Sequence, residues 1–469
     1  MSKNIQIIAI ILSICISCSS EPEINIKASI SKYNLANEIN EKIGEEHFFQ
    51  DQAIKNINPR LGKALIKQLD SQKIYFTANE ILYFTNKFQS SANDVEISTS
   101  YELINLYFNR LIEATKYQIK VIQKKDFDFS EVENILIDND LREFRETNLD
   151  LREIWVKLAK NDVLTSMLTD KTADEAVELI SKRYKNRLRR ISQRNEEDIF
   201  SMVMNNLTGL FDPHSSYMSP KSAEDFEMTM SLNLEGIGAL LTTEDDYPII
   251  VSVVPGGPAE KSGKINPDDK IVKVRQIKKV EVDSVDVVGW RIDEVVQLIR
   301  GEAGTQLELE IIPAKTEDLS DRKWVLLTRE EVKLEEQAAK FLIVDAAQGE
   351  DNFKIGIIDL PAFYIDFNAW RDKDPDFRSS SKDVEDILNK FKLANVDAVI
   401  VDLRGNSGGS LYEANKLTGL FVSSGPTLQV KESNGDIRPW GDARATQVWK
   451  KPMAVMVDRY SASASEIFA

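Results

Sequence analysis

From about residue 31 to residue 210 the chain carries few glycines and repeats its apolar residues at helical spacing; at Phe211-Asp212-Pro213-His214 that text stops. A chain of 469 residues is too long for one ordinary core, and this break marks where it divides. Before the break, Leu103, Leu106, Tyr107 and Leu111 stand at i, i+3, i+4 and i+8, the stripe of an amphipathic helix. Thr172 followed by Glu175 predicts a capping box opening a further helix. That helix carries Lys182, Arg183, Lys185, Arg187, Arg189, Arg190 and Arg194, which read as a solvated face rather than a binding patch.

After the break, residues 228–315 alternate strand-like runs with the turns Tyr247-Pro248, Pro255-Gly256-Gly257-Pro258 and Asn266-Pro267-Asp268-Asp269. One short amphipathic helix, Asp293 to Arg300, closes at Gly301. Beyond a linking segment come the apolar runs Lys354–Leu360, Val396–Leu403, Thr427–Val430 and Met453–Val457. Between the first two, Val384, Ile387, Leu388 and Phe391 mark a helix. Apolar strands alternating with helices predict an α/β sheet covered on both faces. The expected fold is therefore multidomain α+β: a helical N-terminal domain over 31–211, a β-rich domain over 228–315 and an α/β core over 316–469.

The first residues are read apart. Lys3, the apolar run Ile7–Ile16 and the small residues after it suit a secretory signal over 1–17, since so short a run cannot span a bilayer. Ile16-Ser17-Cys18 resembles a bacterial lipoprotein cleavage box, which would make Cys18 the lipid-bearing residue of a protein anchored in the cell envelope and facing the periplasm. An ordinary secretory signal with two incidental cysteines is the alternative. Residues 18–30 are then a tether. The net charge of −17 argues against nucleic acid as a partner, and against the folded surface adhering to anionic lipid. Both cysteines lie in the leader and the chain has 2 histidines, so no metal site and no cofactor are expected.

Two segments carry chemistry. In Val455-Met456-Val457-Asp458-Arg459-Tyr460-Ser461-Ala462-Ser463-Ala464-Ser465-Glu466-Ile467-Phe468 an apolar strand runs through small residues into a helix. A serine at such a junction is presented near the positive end of a helix dipole; it equally suits a helix cap. In Val401-Asp402-Leu403-Arg404-Gly405-Asn406-Ser407-Gly408-Gly409-Ser410 a strand ends in a glycine-rich loop whose N–H groups can converge on an oxyanion. A phosphate loop competes, but the segment lacks the lysine such a loop needs.

Together with Asp212-Pro213-His214-Ser215-Ser216-Tyr217 and Leu234-Glu235-Gly236-Ile237-Gly238-Ala239, these stretches resemble the carboxy-terminal processing (tail-specific) serine proteases, in the family's order. The helical N-terminal region looks like that of the long, tail-specific branch. The resemblance implies a Ser–Lys endopeptidase with Ser463 as nucleophile and oxyanion donors at Ala464 and at the Gly408-Gly409 turn. It implies a PDZ domain over 228–315 that holds apolar C-termini of unfolded or tagged protein substrates. Glu235, Gly236, Ile237 and Gly238 would capture the carboxylate, the strand to Leu241 would accept the peptide, and Val295, Val296 and Ile299 would line the groove. An accessory adaptor lipoprotein and the membrane, through the N-terminal lipid, complete the implied partners. His214 is expected to be structural. The family's lysine lies beyond the nucleophile on the following strand, whereas this chain ends at Ala469, so the protease core is expected to be incomplete and the chain as given inactive. A non-catalytic PDZ adaptor or pseudoprotease is the alternative.

Overall fold

The structure is a computed structural model that describes residues 23–48, 56–91, 94–124, 127–136, 138–169, 171–277, 282–316, 318, 320–348, 351–441 and 447–469. Cys18 and the expected leader lie outside the described residues. The chain divides into one unit up to Tyr217 and a second from Met218 to Ala469.

The first unit is helical: α1 (Ile30–Glu46), α2 (Ile57–Leu69), α3 (Ala78–Ser90), α4 (Ile97–Gln123), α5 (Asn148–Met167), α6 (Ala173–Ser192) and α7 (Glu196–Thr208). Local chemistry starts these helices. Thr77 with Glu80, Thr147 with Asp150, Thr172 with Glu175 and Asn195 with Asp198 form capping boxes, each satisfying N–H groups that have no intrahelical acceptor. Leu103 is fully buried, while Leu106, Tyr107 and Leu111 pack partly buried against the same core. On α6, Ile180, Tyr184 and Ile191 face inward and Lys182, Arg183, Lys185 and Arg190 are exposed, the solvated face that the charge run predicts.

The expected tether is corrected in part. Ile24 and Ile26 pack on the helical core, and their backbones exchange hydrogen bonds with the Asn109 and Asn105 side chains of α4 at 2.8–3.1 Å. Their apolar side chains and a ladder of two asparagines one helical turn apart hold the segment in place. The unit ends in a turn organised by Asp212. Its carboxylate accepts from the N–H groups of His214 and Ser215, from the Ser215 hydroxyl and from His47 Nε2 at 2.8 Å. These bonds hold the Asp212 carboxyl well below its usual range, the Ser215 hydroxyl contributing most. Both histidines thus belong to the helical unit.

The second unit opens with α8 (Pro220–Ser231), followed by β1 (Asn233–Gly236), β2 (Ala239–Glu244), β3 (Tyr247–Val253), α9 (Pro258–Ser262), β4 (Lys270–Ile277), β5 (Val282–Asp286), α10 (Ile292–Ile299), β6 (Gln306–Ile312), β7 (Lys323–Thr328) and β8 (Glu330–Lys333). The sheet runs β2-β3-β4-β6-β7 with β5 beside β4, and β1 pairs with β8. This sheet continues past the expected boundary at 315, because β7 pairs along the length of β6 and buries Val325 and Leu327.

The remainder carries β9 (Lys340–Gln348), β10 (Asp351–Asp359), α11 (Phe367–Arg371), α12 (Ser380–Leu393), β11 (Ala398–Asp402), α13 (Leu411–Thr418), β12 (Leu428–Lys431), β13 (Ile437–Trp440), β14 (Met453–Met456) and α14 (Ala464–Phe468). Its sheet has the order β14-β11-β10-β9, with β10, β11 and β14 parallel. Two expectations are corrected. The run Thr427–Val430 does not join this sheet; β12 pairs with β13 as a separate hairpin. Nor is the sheet covered on both faces. Ile358, Val399 and Val401 are buried with Phe391 of α12, whereas Ile357 and Ile400, on the opposite face, are only half-buried, and the edge strand β9 is exposed on both faces. No helix among the described residues is long and apolar enough to cross a membrane.

Candidate active site

The site forms where two strand ends meet. β11 and β14 are parallel neighbours, so the loops at their C-terminal ends emerge side by side, the place where open α/β sheets carry their chemistry. Leu403 N–H donates to Met456 O at 2.9 Å, prolonging the pairing into the loops. Asp458 then ties them. Its carboxylate accepts from the N–H groups of Gly405, Tyr460 and Ser461 at 2.9–3.1 Å, which lowers its pKa, the Gly405 bond first.

Asn406 is the knot between the loops, and it is completely buried. Its Nδ2 donates to Leu360 O at 2.9 Å and its Oδ1 accepts from Gly408 N–H at 2.8 Å. Its carbonyl accepts from Ala462 N–H at 3.1 Å and from the Ser465 hydroxyl at 2.9 Å. Asn406 is not among the residues expected from the sequence, although an asparagine inside a glycine loop is a signal that something must be held there.

Ser463 sits at the first position of this corner, before α14, and its side chain is exposed. Its backbone has φ 55° and ψ −115°, a conformation that L-residues avoid and that turns a strand abruptly into a helix. The Glu466 carboxylate accepts from the Ser463 N–H at 2.6 Å, so the serine also fills the helix-capping position. Ala464 follows, buried in the core, and its N–H meets no acceptor among the described residues.

Gly408 lies directly against this corner, and Gly409 after it lies against the Phe363 backbone. A Cβ on Gly408 would come 2.8 Å from Ser463 Cβ and 3.1 Å from Ala464 N, and one on Gly409 would come 2.4 Å from Phe363 O. Their φ values of 113° and 138° also suit glycine alone. Gly408 N–H is taken by Asn406, whereas Gly409 N–H has no acceptor among the described residues. The structure therefore brings Ser463, Ala464 and Gly408 into one contact, with Gly409 next along the turn and packed on Phe363.

The residues expected to read a C-terminus lie elsewhere in the second unit. Gly236 ends β1, Gly238 has φ 70°, and the carbonyls of Ile237 and Gly238 accept from Ala259 and Val254 at 2.8 Å, which fixes the loop. β2 is the edge strand of its sheet, with α10 alongside. Glu235 is exposed, Leu241 and Val296 are half-buried, and Ile237, Val295 and Ile299 belong to the core of this sheet. Arg300, after α10, lies near Gly236 and pairs with Asp225 of α8 at 2.6 Å.

Comparison with known proteins gives three matches in this order along the chain. The tail-specific protease N-terminal domain covers residues 39–221, a PDZ domain residues 226–312 and peptidase family S41 residues 354–469. A tail-specific protease of Haemophilus influenzae is 34% identical over all of this chain and 66% of its own length. The carboxy-terminal processing protease CtpA of Bacillus subtilis is 28% identical over 66% of this chain and 59% of that protein. A solved PDZ domain of a carboxy-terminal protease from Vibrio cholerae, in complex with peptide, is 44% identical, covering 22% of this chain and 99% of that one, with a TM-score of 0.20. The chain thus spans 59–66% of the length of these two protease relatives. With the helical, PDZ and peptidase parts following one another in this order, the chain belongs to the carboxy-terminal processing, tail-specific proteases of peptidase family S41.

Proposed function

We propose that this protein is a serine endopeptidase that attacks a scissile carbonyl with Ser463 Oγ, passing through an acyl-enzyme that water hydrolyses. The carrying observation is the strained, exposed corner at Ser463, with two N–H groups that lack acceptors among the described residues, that of Ala464 in the corner and that of Gly409 in the turn whose Gly408 packs on it. A tetrahedral oxyanion is a strong acceptor, so donors left unpaired in the resting state gain most when it forms. Gly408, whose N–H is already bonded to Asn406, shapes the turn and Gly409 donates. The base, by family resemblance, is a lysine beyond Ser463 whose pKa desolvation brings down from about 10.4. In this reading His47 and His214 take no part.

The test is covalent. A serine-directed fluorophosphonate should label the intact enzyme at Ser463, located by peptide mass spectrometry, and fail to label Ser463→Ala. A label on another residue, or none on the parent, overturns the assignment.

The PDZ domain is read as the substrate selector: a free C-terminus adds to the β2 edge while the Glu235–Gly238 loop takes its carboxylate. Half-buried Leu241 and Val296 line the groove, with Ile237, Val295 and Ile299 as the apolar floor beneath. A peptide with an apolar, free C-terminus should bind, and its amidated form should lose at least about tenfold, a charged hydrogen-bonding partner being worth roughly 1.5–3 kcal/mol. Equal affinities in fluorescence anisotropy would remove the carboxylate from the reading. Residence in the bacterial envelope, periplasm-facing and anchored through lipid on Cys18, with unfolded proteins as substrates and an adaptor lipoprotein as partner, belongs to the same proposal. Mass spectrometry of the N-terminal peptide from the native membrane tests it.

A further inference from the structure

Behind the Gly408-Gly409 turn lies a buried carboxyl group that the proposed chemistry does not use. Glu413, one turn into α13, has no exposed surface. One of its oxygens, Oε2, accepts from Ser381 N–H at 2.7 Å and from the Ser380 hydroxyl at 3.0 Å. The other, Oε1, is buried with no hydrogen-bond partner among the described residues. Burying a carboxyl group and leaving half of it unsatisfied costs several kcal/mol unless something offsets it. Two helix N-termini do so in part, since Ser380 and Ser381 open α12 while Glu413 itself stands in the first turn of α13. Burial still raises the pKa of the group.

The position of this group explains what it holds. The segment Phe363–Ile365 runs between the glycine turn and the start of α12. Phe363 N–H donates to Gly408 O at 2.9 Å, and Ser410 N–H donates to Phe363 O at 2.8 Å. On its other side, Ser380 N–H donates to Tyr364 O at 2.9 Å. Glu413 closes the third side by joining α13, which the turn runs into, to the first residues of α12. Ser410 caps α13 through the Glu413 N–H at 3.3 Å, so the carboxyl group is one helical turn from Gly409. Without the Glu413 bonds, the hydrogen bonds that tie the start of α13 to this frame are those of Phe363, with the apolar packing of Ala414 and Leu417 behind them.

We infer that Glu413 is a positioning residue of the protease: by accepting from Ser380 and Ser381 it locks α13 against α12 and so holds the Gly408-Gly409 turn against Ser463. The inference rests on the serine-protease reading above. It assigns Glu413 no contact with substrate and no proton transfer. Small displacements of such a turn weaken a donor aimed at a developing charge far more than they weaken substrate binding, which occurs elsewhere.

The experiment compares Glu413→Gln, Glu413→Ala and Ser380→Ala with the parent, in the intact enzyme. Each is assayed for kcat per fluorophosphonate-titrated Ser463, for KM, and for the affinity of an apolar C-terminal peptide. Glu413→Gln keeps an acceptor oxygen in place and should stay within about threefold of the parent. Glu413→Ala should lose between about tenfold and a hundredfold in kcat per titrated site, with KM and peptide affinity within about twofold. Ser380→Ala, which removes one bond and keeps the carboxyl group, should fall between them; it also carries the test if Glu413→Ala does not fold. Equal kcat per titrated site in Glu413→Ala and the parent overturns the inference, as does a Glu413→Gln as slow as Glu413→Ala. A parent that is not labelled at Ser463 overturns the protease reading, and this inference with it.

Discussion

In the intact enzyme, with the base lysine that the family resemblance implies, Ser463→Ala is expected to slow cleavage of an unfolded polypeptide by about 10⁴-fold or more, while the urea midpoint of the protein stays that of the parent. The two halves of this result come from different atoms. On the proposed mechanism, removing Oγ takes away the exposed hydroxyl that forms the acyl-enzyme, since the Ser461 and Ser465 hydroxyls of the same corner donate to Leu403 O and Asn406 O. The proposed donors of Ala464 and Gly409 are then left with no tetrahedral species to bind. The corner's architecture, by contrast, uses the backbone of Ser463. Its N–H bonds Glu466, its carbonyl accepts from Glu466 and Ile467 at 3.0–3.1 Å, and alanine keeps all three. Alanine also keeps the strain, because its Cβ suffers at φ 55° as serine's does. Ser463→Gly removes it. That variant should be equally inactive yet more stable than the parent, by about 1 kcal/mol, once the loss of unfolded-state freedom is set against the relief. An alanine variant that still turns over would end the assignment of Ser463, and a glycine variant with no gain would end the claim of stored strain.

The same corner shows what the amino-acid text conveys and what it withholds. The helix start at Thr172 was readable because a capping box is a local device: Thr172 and Glu175 meet across one turn, so four residues of sequence contain the whole interaction. The glycine turn was readable because positive φ and close approach restrict the residue type at the position itself. Asn406 was not, since its partners stand at Leu360, Gly408, Ala462 and Ser465, and it takes the pairing of β11 with both β10 and β14 to gather them. Glu413 reads in the sequence as one more acidic residue at a helix start; its burial follows from Ser380 and Ser381 arriving from another element. Val295, Val296 and Ile299 share a helix face, and periodicity does not separate the half-buried Val296 from the other two in the core. β9 carries the apolar run Phe341–Val344 within the segment expected to be a linker, because nothing local says that β10 pairs along it. A continuous apolar strand, finally, signals that its faces avoid water but not what covers them. That is why the expected two-sided burial is incomplete at Ile357 and Ile400.

Gly409→Ala should lower the unfolding free energy by about 4 kcal/mol, the sum of a disallowed backbone angle and an overpacked contact that each cost roughly 1–3 kcal/mol. The added Cβ would meet Phe363 O at 2.4 Å, and also Phe363 C at 2.9 Å and N at 3.0 Å. A side chain could swing away from such an intrusion, but these are backbone atoms. Phe363 cannot retreat either: its own side chain is completely buried, and its N–H and C=O are bonded to Gly408 and Ser410 on either side of the glycine. Any shift that admits the methyl group therefore breaks the bonds that position the turn. Gly405→Ala is the control, since Gly405 shares the same loop and a positive φ of 76°, but a Cβ there meets nothing within 4 Å. Its cost should be the backbone term alone, about 1 kcal/mol. Urea unfolding at constant m-value measures both. A difference between the two variants of less than about 1 kcal/mol would mean that Phe363 yields after all. The turn would then be held by something other than its fit against that strand.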